Sequence, residues 1–176
     1  MAVVEVNGYT LEPGADLKGA ELDYVLASRV DLSGADLRGA RLRHATLRGA
    51  SLQGARLEQA DLSRADARGA DLGGAYLRQA NLTQASLTEA TLTGAHLSEA
   101  DLTDANLNGA ILDRAMLAKA LLTRAHLFGT RLHGASYVLK IAIGVSCYCT
   151  GNRKAKTGTT SIAIGCKEGV EYQVFV

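Results

Sequence analysis

The sequence predicts an all-β solenoid, a fold in which the chain winds through stacked coils around a thin apolar interior. Alanine recurs at every fifth position of ADLSRADARGADLGGA (60–75), and leucine usually follows two residues later. On an α-helix, five residues turn the chain through about 500°, so the leucines would circle the axis. On a flat strand, an odd period sends successive leucines to opposite faces. A chain that bends in every unit satisfies the period, and regular bends close into stacked coils.

This period runs through most of the chain. Between Ala15 and Ala135 there are 25 units, with alanine at 22 of the 25 first positions and leucine at 22 of the 25 third positions. The exceptions are Val25, Val30 and Thr130 at the first position and Ala27, Ala67 and Tyr137 at the third. A regular five-residue period over this length argues against an alanine-rich helical bundle, which would repeat near 3.6 residues.

Units such as ADLKG, ADLRG, ANLTQ and ANLNG resemble the A(D/N)LxX units of the pentapeptide-repeat family over residues 15–139. The resemblance implies a right-handed quadrilateral β-helix with four units per coil, so that 25 units make about six coils. At about 4.8 Å per coil, the rod would be about 30 Å long. The resemblance also implies that the second position of each unit faces outward.

The ends of such a rod need caps, because they expose unpaired strand edges and the apolar column. Residues 1–14 are expected to form the N-terminal cap. There AVVEV (2–6) predicts a strand, NG a tight turn, and YTLEPGADL a return into the first coil.

Residues 140–176 are expected to form a C-terminal β segment, a small antiparallel meander with strands near 138–149, 160–166 and 171–176. It contains a basic, glycine-containing stretch, TGNRKAKTGTT (150–160), and all three cysteines, Cys147, Cys149 and Cys166. Buried free thiols are the expectation. The alternatives are a zinc site with His133 as fourth ligand, and a disulfide if the compartment is oxidising.

Composition narrows the class of function. The chain of 176 residues has a formal net charge of +1, and residues 15–75 contain nine basic and nine acidic side chains. Neither a polyanion nor a polycation is indicated. No apolar run is long enough to cross a membrane, and the first residues lack a signal-peptide pattern, so a cytoplasmic location is expected. The four histidines are scattered and no phosphate-binding loop is present, so we expect no enzyme and no cofactor.

Two surface features are candidates for contacts. Three successive second positions are apolar and Phe128 adds to them, giving the set Ile111, Met116, Leu121 and Phe128. A soluble rod would not leave this set bare, so either the C-terminal segment or a second chain should cover it. The family resemblance supports a homodimer through the C-terminal end.

The second feature is a basic belt with no acid between its ends, formed by Arg38, Arg41, Arg43, Arg48 and Arg56. It would suit phosphate groups or an acidic protein surface. In adjacent coils, Asp36, Glu58, Asp61 and Asp66 would neutralise it. Aromatic side chains do not interleave with the arginines, which argues against single-stranded nucleic acid.

The sequence therefore favours a non-catalytic, rod-shaped protein-binding or scaffold protein that acts by surface display. The resemblance implies one alternative, a DNA-mimicking modulator of type II topoisomerase that protects or inhibits DNA gyrase. Mimicry requires sustained negative charge, whereas Arg56 interrupts the acidic column that begins with Asp16 and Asp36. A second alternative is a rod that carries a functional, cysteine-containing C-terminal module.

Overall fold

In the computed structural model, which describes residues 4–136, an N-terminal hairpin leads into a regular β-helix. Every bridge of the β-helix joins residues 20 positions apart in parallel, from Asp16↔Asp36 to Met116↔Ser136. Twenty residues are four units, so each coil has four sides and residues 15–134 make six coils. The predicted all-β, four-sided solenoid is confirmed. Residues 4–136 contain no helix with the length and hydrophobicity that crossing a bilayer requires.

Backbone hydrogen bonds explain why the coils stack in this register. The N–H of Asp36 donates to a carbonyl of the preceding coil at 2.9 Å. The N–H groups of Leu37 and Gly39 donate to carbonyls of the following coil at 2.7 and 3.0 Å. The N–H of Ala35 donates to the carbonyl of Leu32 at 3.0 Å and closes the preceding bend. Four of the five N–H groups in this unit are therefore satisfied by the backbone itself.

The fifth N–H, at the fourth position of the unit, explains the aspartate or asparagine at the second position. Asp61 Oδ1 accepts the N–H of Ser63, and Asn81 Oδ1 accepts that of Thr83, both at 3.0 Å. Each side chain mimics a backbone turn and satisfies the N–H that the coil leaves over. The same bond forms at Asp16, Asp31, Asp36, Asp71, Asp101 and Asn106.

The fifth position turns each corner in the left-handed conformation. All 24 fifth positions from 19 to 134 have φ between 55° and 69°. Glycine occupies 11 of them, as expected for this conformation, but 13 carry a side chain. A side chain in this region costs about 1–2 kcal/mol relative to a relaxed backbone, so the ladder of bonds between coils must outweigh that cost.

The interior is a column of alanine and leucine side chains from the first and third positions. Most of them are completely buried, as at Leu87 and Ala90. Ala27 and Ala67, which replace leucine at the third position, also point inward. Among the described residues, no polar or charged residue is buried. The column therefore supplies packing energy and presents no polar side chain to a reactant.

The N-terminal hairpin consists of β1 (Val4–Val6) and β2 (Tyr9–Leu11), which pair antiparallel. Asn7 and Gly8 form the two-residue turn, with φ values of 52° and 79°. Two positive φ values are the geometry of the hairpin turn that Asn-Gly favours.

This hairpin lies against the N-terminal end of the apolar column. Leu11 is buried in the core, and Asn7 Nδ2 donates to the carbonyl of Glu21 in the first coil at 3.1 Å. Three further side chains of the hairpin pack on the core, namely Val4, Val6 and Tyr9. The first end of the column is thus covered by the residues that precede it.

The apolar column is less buried at its C-terminal end. Ala120, Leu122 and Leu132 are only partly buried, although their positions are fully buried in the coils before them. The predicted C-terminal meander, with Cys147, Cys149 and Cys166, lies outside the described residues.

Candidate interaction surface

The outer surface is organised in columns, because equivalent residues of successive coils stack about 4.8 Å apart. We number the four faces in the order in which they occur in the first coil. Face 1 is formed by 16–19, face 2 by 21–24, face 3 by 26–29 and face 4 by 31–34. Each recurs every 20 residues. Coils 1 to 6 begin at residues 15, 35, 55, 75, 95 and 115.

The basic belt is spread over three faces and is divided into ion pairs. On face 2, Arg41 Nη2 lies 2.8 Å from Asp23 Oδ2, which Arg43 also contacts. On face 3, Arg48 Nε lies 2.6 Å from Asp66 Oδ2. Carboxylates from neighbouring coils therefore offset these three guanidinium groups.

The two remaining arginines of the belt lie on face 1. Arg38 pairs with Asp36, and its hydrogen bond lowers the pKa of that carboxyl from 3.8 to about 2. Arg56 lies 3.7 Å from Glu58 and 4.0 Å from Asp36. Of the four acids expected to neutralise the belt, Asp61 differs, because its carboxylate accepts a backbone N–H instead.

The faces differ in charge even though basic and acidic side chains are equal in number in coils 1 to 3. Faces 1 and 2 are each balanced, and face 4 carries Asp31 and Asp71 with no basic side chain. Face 3 carries three arginines and one aspartate, namely Arg29, Arg48, Asp66 and Arg68. Net charge summed along the chain hides this difference, because it adds residues that the coil places on opposite sides.

An exposed cluster lies at the corner between faces 2 and 3 in coils 1 and 2, formed by Tyr24, Leu26 and His44; we call it the Tyr24 cluster. Leu26 is 81% exposed and Tyr24 is 67% exposed. The Tyr24 ring stacks on His44 with centroids 4.9 Å apart and planes 2° from parallel. Sequence reasoning missed this cluster. The signal was present, since Leu26 occupies a second position, which is polar in most units.

The predicted apolar set lies around the C-terminal coils. Ile111, on face 4 of coil 5, is partly buried, whereas Met116 and Leu121, on faces 1 and 2 of coil 6, are exposed. Phe128, on face 3 of coil 6, is half exposed, and its N–H donates to Asn108 Oδ1 at 2.9 Å. The segment expected to cover this set lies outside the described residues.

Candidate chemistry is sparse on this surface. Within residues 4–136, no three histidine, cysteine, aspartate or glutamate side chains are placed to hold a metal ion. His133, the fourth ligand of the alternative zinc site, donates its backbone N–H to Asp113 Oδ1 at 3.0 Å, and the three cysteines lie beyond the described residues. His96 lies against Tyr76, with ring centroids 4.6 Å apart.

Comparison with solved structures finds other pentapeptide-repeat proteins. Rfr23 from the cyanobacterium Cyanothece 51142 is 35% identical, with 53% of this chain and 60% of that chain covered and a TM-score of 0.44. A pentapeptide-repeat protein from Nostoc Pcc 7120, alr5209, is 38% identical over 47% of this chain and 68% of its own, with a TM-score of 0.46. QnrB1, a plasmid-mediated fluoroquinolone resistance protein, is 25% identical over 61% of this chain and 60% of its own, with a TM-score of 0.36.

The match to Rfr23 spans less than two thirds of that protein's length. No curated protein matches the chain. The family model for pentapeptide repeats matches with eight copies, over residues 14–49, 28–64, 47–84, 60–99, 80–117 and 105–136. These matches cover all six coils, and the bridges between residues 20 apart give the same period. The chain belongs to the pentapeptide-repeat family.

Proposed function

We propose that this protein is a non-catalytic rod that binds another protein through side chains displayed on its β-helix. The observation that carries the proposal is the division between inside and outside. The described interior contains only apolar side chains, whereas the polar and charged side chains lie on outward columns. Backbone hydrogen bonds to the coil on either side hold the backbone of those columns in place, so little backbone entropy is lost when a partner binds.

Catalysis fits this geometry poorly. Enzymes bring a nucleophile or base together with its orienting groups in a concave, water-excluding site. On a rod, neighbouring faces point away from one another, and groups on one face are separated by the coil spacing. The ion pairs of coils 1 to 3 join neighbouring side chains on one face, as at Arg48 and Asp66, and do not link one face to another.

Affinity capture tests the proposal. The purified full-length protein is used as bait in a lysate of its source organism, and bound proteins are crosslinked and identified. We expect a partner in stoichiometric amount, with crosslinks to outward positions of one face. The control bait carries Leu92→Asp, which places a charge in the interior and should unfold the rod. Equal capture by this control, or no partner for the native bait, would contradict the proposal.

Modulation of a type II topoisomerase is the second candidate, and face 4 supports it. Asp31 and Asp71 form no ion pair among the described residues, and face 4 carries no basic side chain in coils 1 to 4. These carboxylates are two coils apart, about 10 Å. Duplex DNA presents one charge per about 1.7 Å of axis, so face 4 is a sparse copy. We therefore favour the protein-binding scaffold.

A gyrase supercoiling assay separates the two candidates. The protein is titrated with and without a fluoroquinolone, beside an Asp31→Lys/Asp71→Lys variant. Inhibition or protection at micromolar protein that the variant loses would establish DNA mimicry through face 4. No effect at tens of micromolar would remove this candidate.

A further inference from the structure

We propose that face 3 of coils 1 to 3, together with the Tyr24 cluster, is the partner-binding surface, and that its partner is an acidic protein surface with apolar side chains at its centre. This inference rests on the proposed function as a protein-binding rod. Three features support it: an apolar side chain that the fold does not need, an exposed aromatic side chain stacked on a histidine, and an excess of arginine.

Leu26 is the side chain that the fold does not need. In the unit VLASR (25–29), leucine stands at the second position, which is polar in most units, and alanine stands at the third position, where leucine is usual. A shift of one residue would bury the leucine, but the structure keeps Ala27 inside at 2% exposure and Leu26 outside at 81%. An aspartate at this position would accept the N–H of residue 28, as eight other units show. Leu26 forgoes that bond and gains no burial.

Tyr24 is the exposed aromatic side chain. It turns a corner with φ of 62°, as twelve other side chains of the β-helix do, so the conformation alone does not set it apart. Its side chain is 67% exposed. The ring stacks on His44 with centroids 4.9 Å apart, and Leu26 follows two residues later in the chain. Tyrosine is enriched among the residues that dominate protein interfaces, so an exposed and stacked tyrosine supports a contact surface.

Arginines follow the Tyr24 cluster along face 3. Arg48 and Arg68 share a single carboxylate, that of Asp66, at 2.6 and 2.8 Å. Arg64, at the corner between faces 2 and 3, donates to the neutral Gln84 at 2.9 Å. Among the described residues, Arg29 forms no ion pair. On face 3 itself, three arginines against one aspartate attract an acidic partner.

The combination favours a protein over nucleic acid. Tyrosine and arginine are enriched among the residues that dominate protein interfaces, where an apolar centre is ringed by polar groups. A phosphate backbone would use the arginines but would leave Leu26 in contact with charged groups. The surface therefore fits an acidic protein segment that carries leucine or aromatic side chains.

The test uses the full chain and three labelled probes: a peptide of glutamate and leucine, an all-glutamate peptide of equal length, and a short DNA duplex. Binding is measured by fluorescence anisotropy. We expect the mixed peptide to bind more tightly than the all-glutamate peptide. Leu26→Asp with Tyr24→Gly should weaken the mixed peptide at least tenfold, the loss typical of an interface hot spot. Thr91→Asp with Gln79→Gly, the same kinds of change on faces 4 and 1 of coil 4, is the matched control and should leave binding unchanged.

Stability provides the second readout. The aspartate introduced at position 26 would regain a hydrogen bond, and the glycine introduced at position 24 would relax the corner. The double variant should therefore melt about 2–4 °C higher than the native chain. A lower melting temperature would make the two residues structural and overturn the inference. Duplex binding that equals peptide binding and ignores the double variant would assign the face to nucleic acid. Equal peptide binding by all variants would also overturn it.

Failure here is distinguishable from failure of the proposed function. If affinity capture yields a partner crosslinked to another face, the rod still binds a protein and only the assignment of face 3 is wrong. If capture yields no partner, the proposed function itself is contradicted.

Discussion

Replacing Asp61 with alanine tests the physical explanation of the repeat. Asp61 Oδ1 accepts the N–H of Ser63 at 3.0 Å, and among the described residues its carboxylate is in no ion pair. That N–H is the one in its unit with no backbone acceptor. Asp61→Ala therefore removes the side-chain bond without breaking an ion pair or opening the interior.

The expected loss follows from the local exposure. A net protein hydrogen bond contributes about 0.5–1.5 kcal/mol, and one to a charged group about 1.5–3 kcal/mol. The site is half-buried, so water can replace part of the lost bond. We expect Asp61→Ala to lower the free energy of unfolding by about 1 kcal/mol, which corresponds to a fall in melting temperature of about 2–4 °C.

Urea unfolding followed by circular dichroism measures this loss, and Asp61→Asn is the control. Asparagine keeps the acceptor oxygen and removes the charge, and Asn81 already performs the same role toward Thr83 at 3.0 Å. We expect Asp61→Asn to stay within about 0.5 kcal/mol of the native chain. An equal loss in both variants would show that charge matters and the acceptor does not. A native-like Asp61→Ala would refute the explanation altogether.

The remaining predictions concern the core, the cap and pH. Leu87→Ala should lower the free energy of unfolding by about 2–5 kcal/mol, and Leu122→Ala by less because Leu122 is only partly buried; urea midpoints compare them. Gly8→Val forces a branched residue to a φ of 79°, so thermal melts should fall and light scattering should detect edge-to-edge association. The Asp36 carboxyl, with its pKa lowered from 3.8 to about 2, stabilises the fold above pH 3.8 and loses that contribution as the pH falls through 2. Arg38→Ala should flatten this decline in urea midpoints, and an unchanged pH profile would contradict it.

The period of five was enough to predict the solenoid, because burial of the first and third positions follows from bending once per unit. It did not specify four sides, since any number of bends can close a coil; that feature came from the family resemblance. The left-handed backbone at the corners could be predicted from the sequence at only about half of them. Glycine marks 11 of them, but side chains occupy 13, as at Tyr24 and Arg124, because bonds to both neighbouring coils outweigh local preference.

The surface was harder to predict, because ion pairs form between residues of neighbouring coils that are far apart in the sequence. Arg48 pairs with Asp66, 18 residues later, while Arg29 forms no ion pair among the described residues. A count of charges along the sequence treats these arginines alike. The second position of Leu26 predicts its exposure. The neighbouring Ala27, at the third position, predicts only a change in the interior.

Apolar second positions occur at both ends of the rod, and the two sets have different explanations. Leu121 lies beside Leu122, at the end of the column where the core is partly buried and where the chain continues beyond the described residues. Covering that end would account for it. Leu26 lies in coil 1, whose end of the column is already covered by the hairpin of residues 4–11, and it remains 81% exposed. Capping by the hairpin therefore does not explain the exposure of Leu26 among the described residues, whereas the partner surface proposed on face 3 would account for a leucine where aspartate would stabilise the fold.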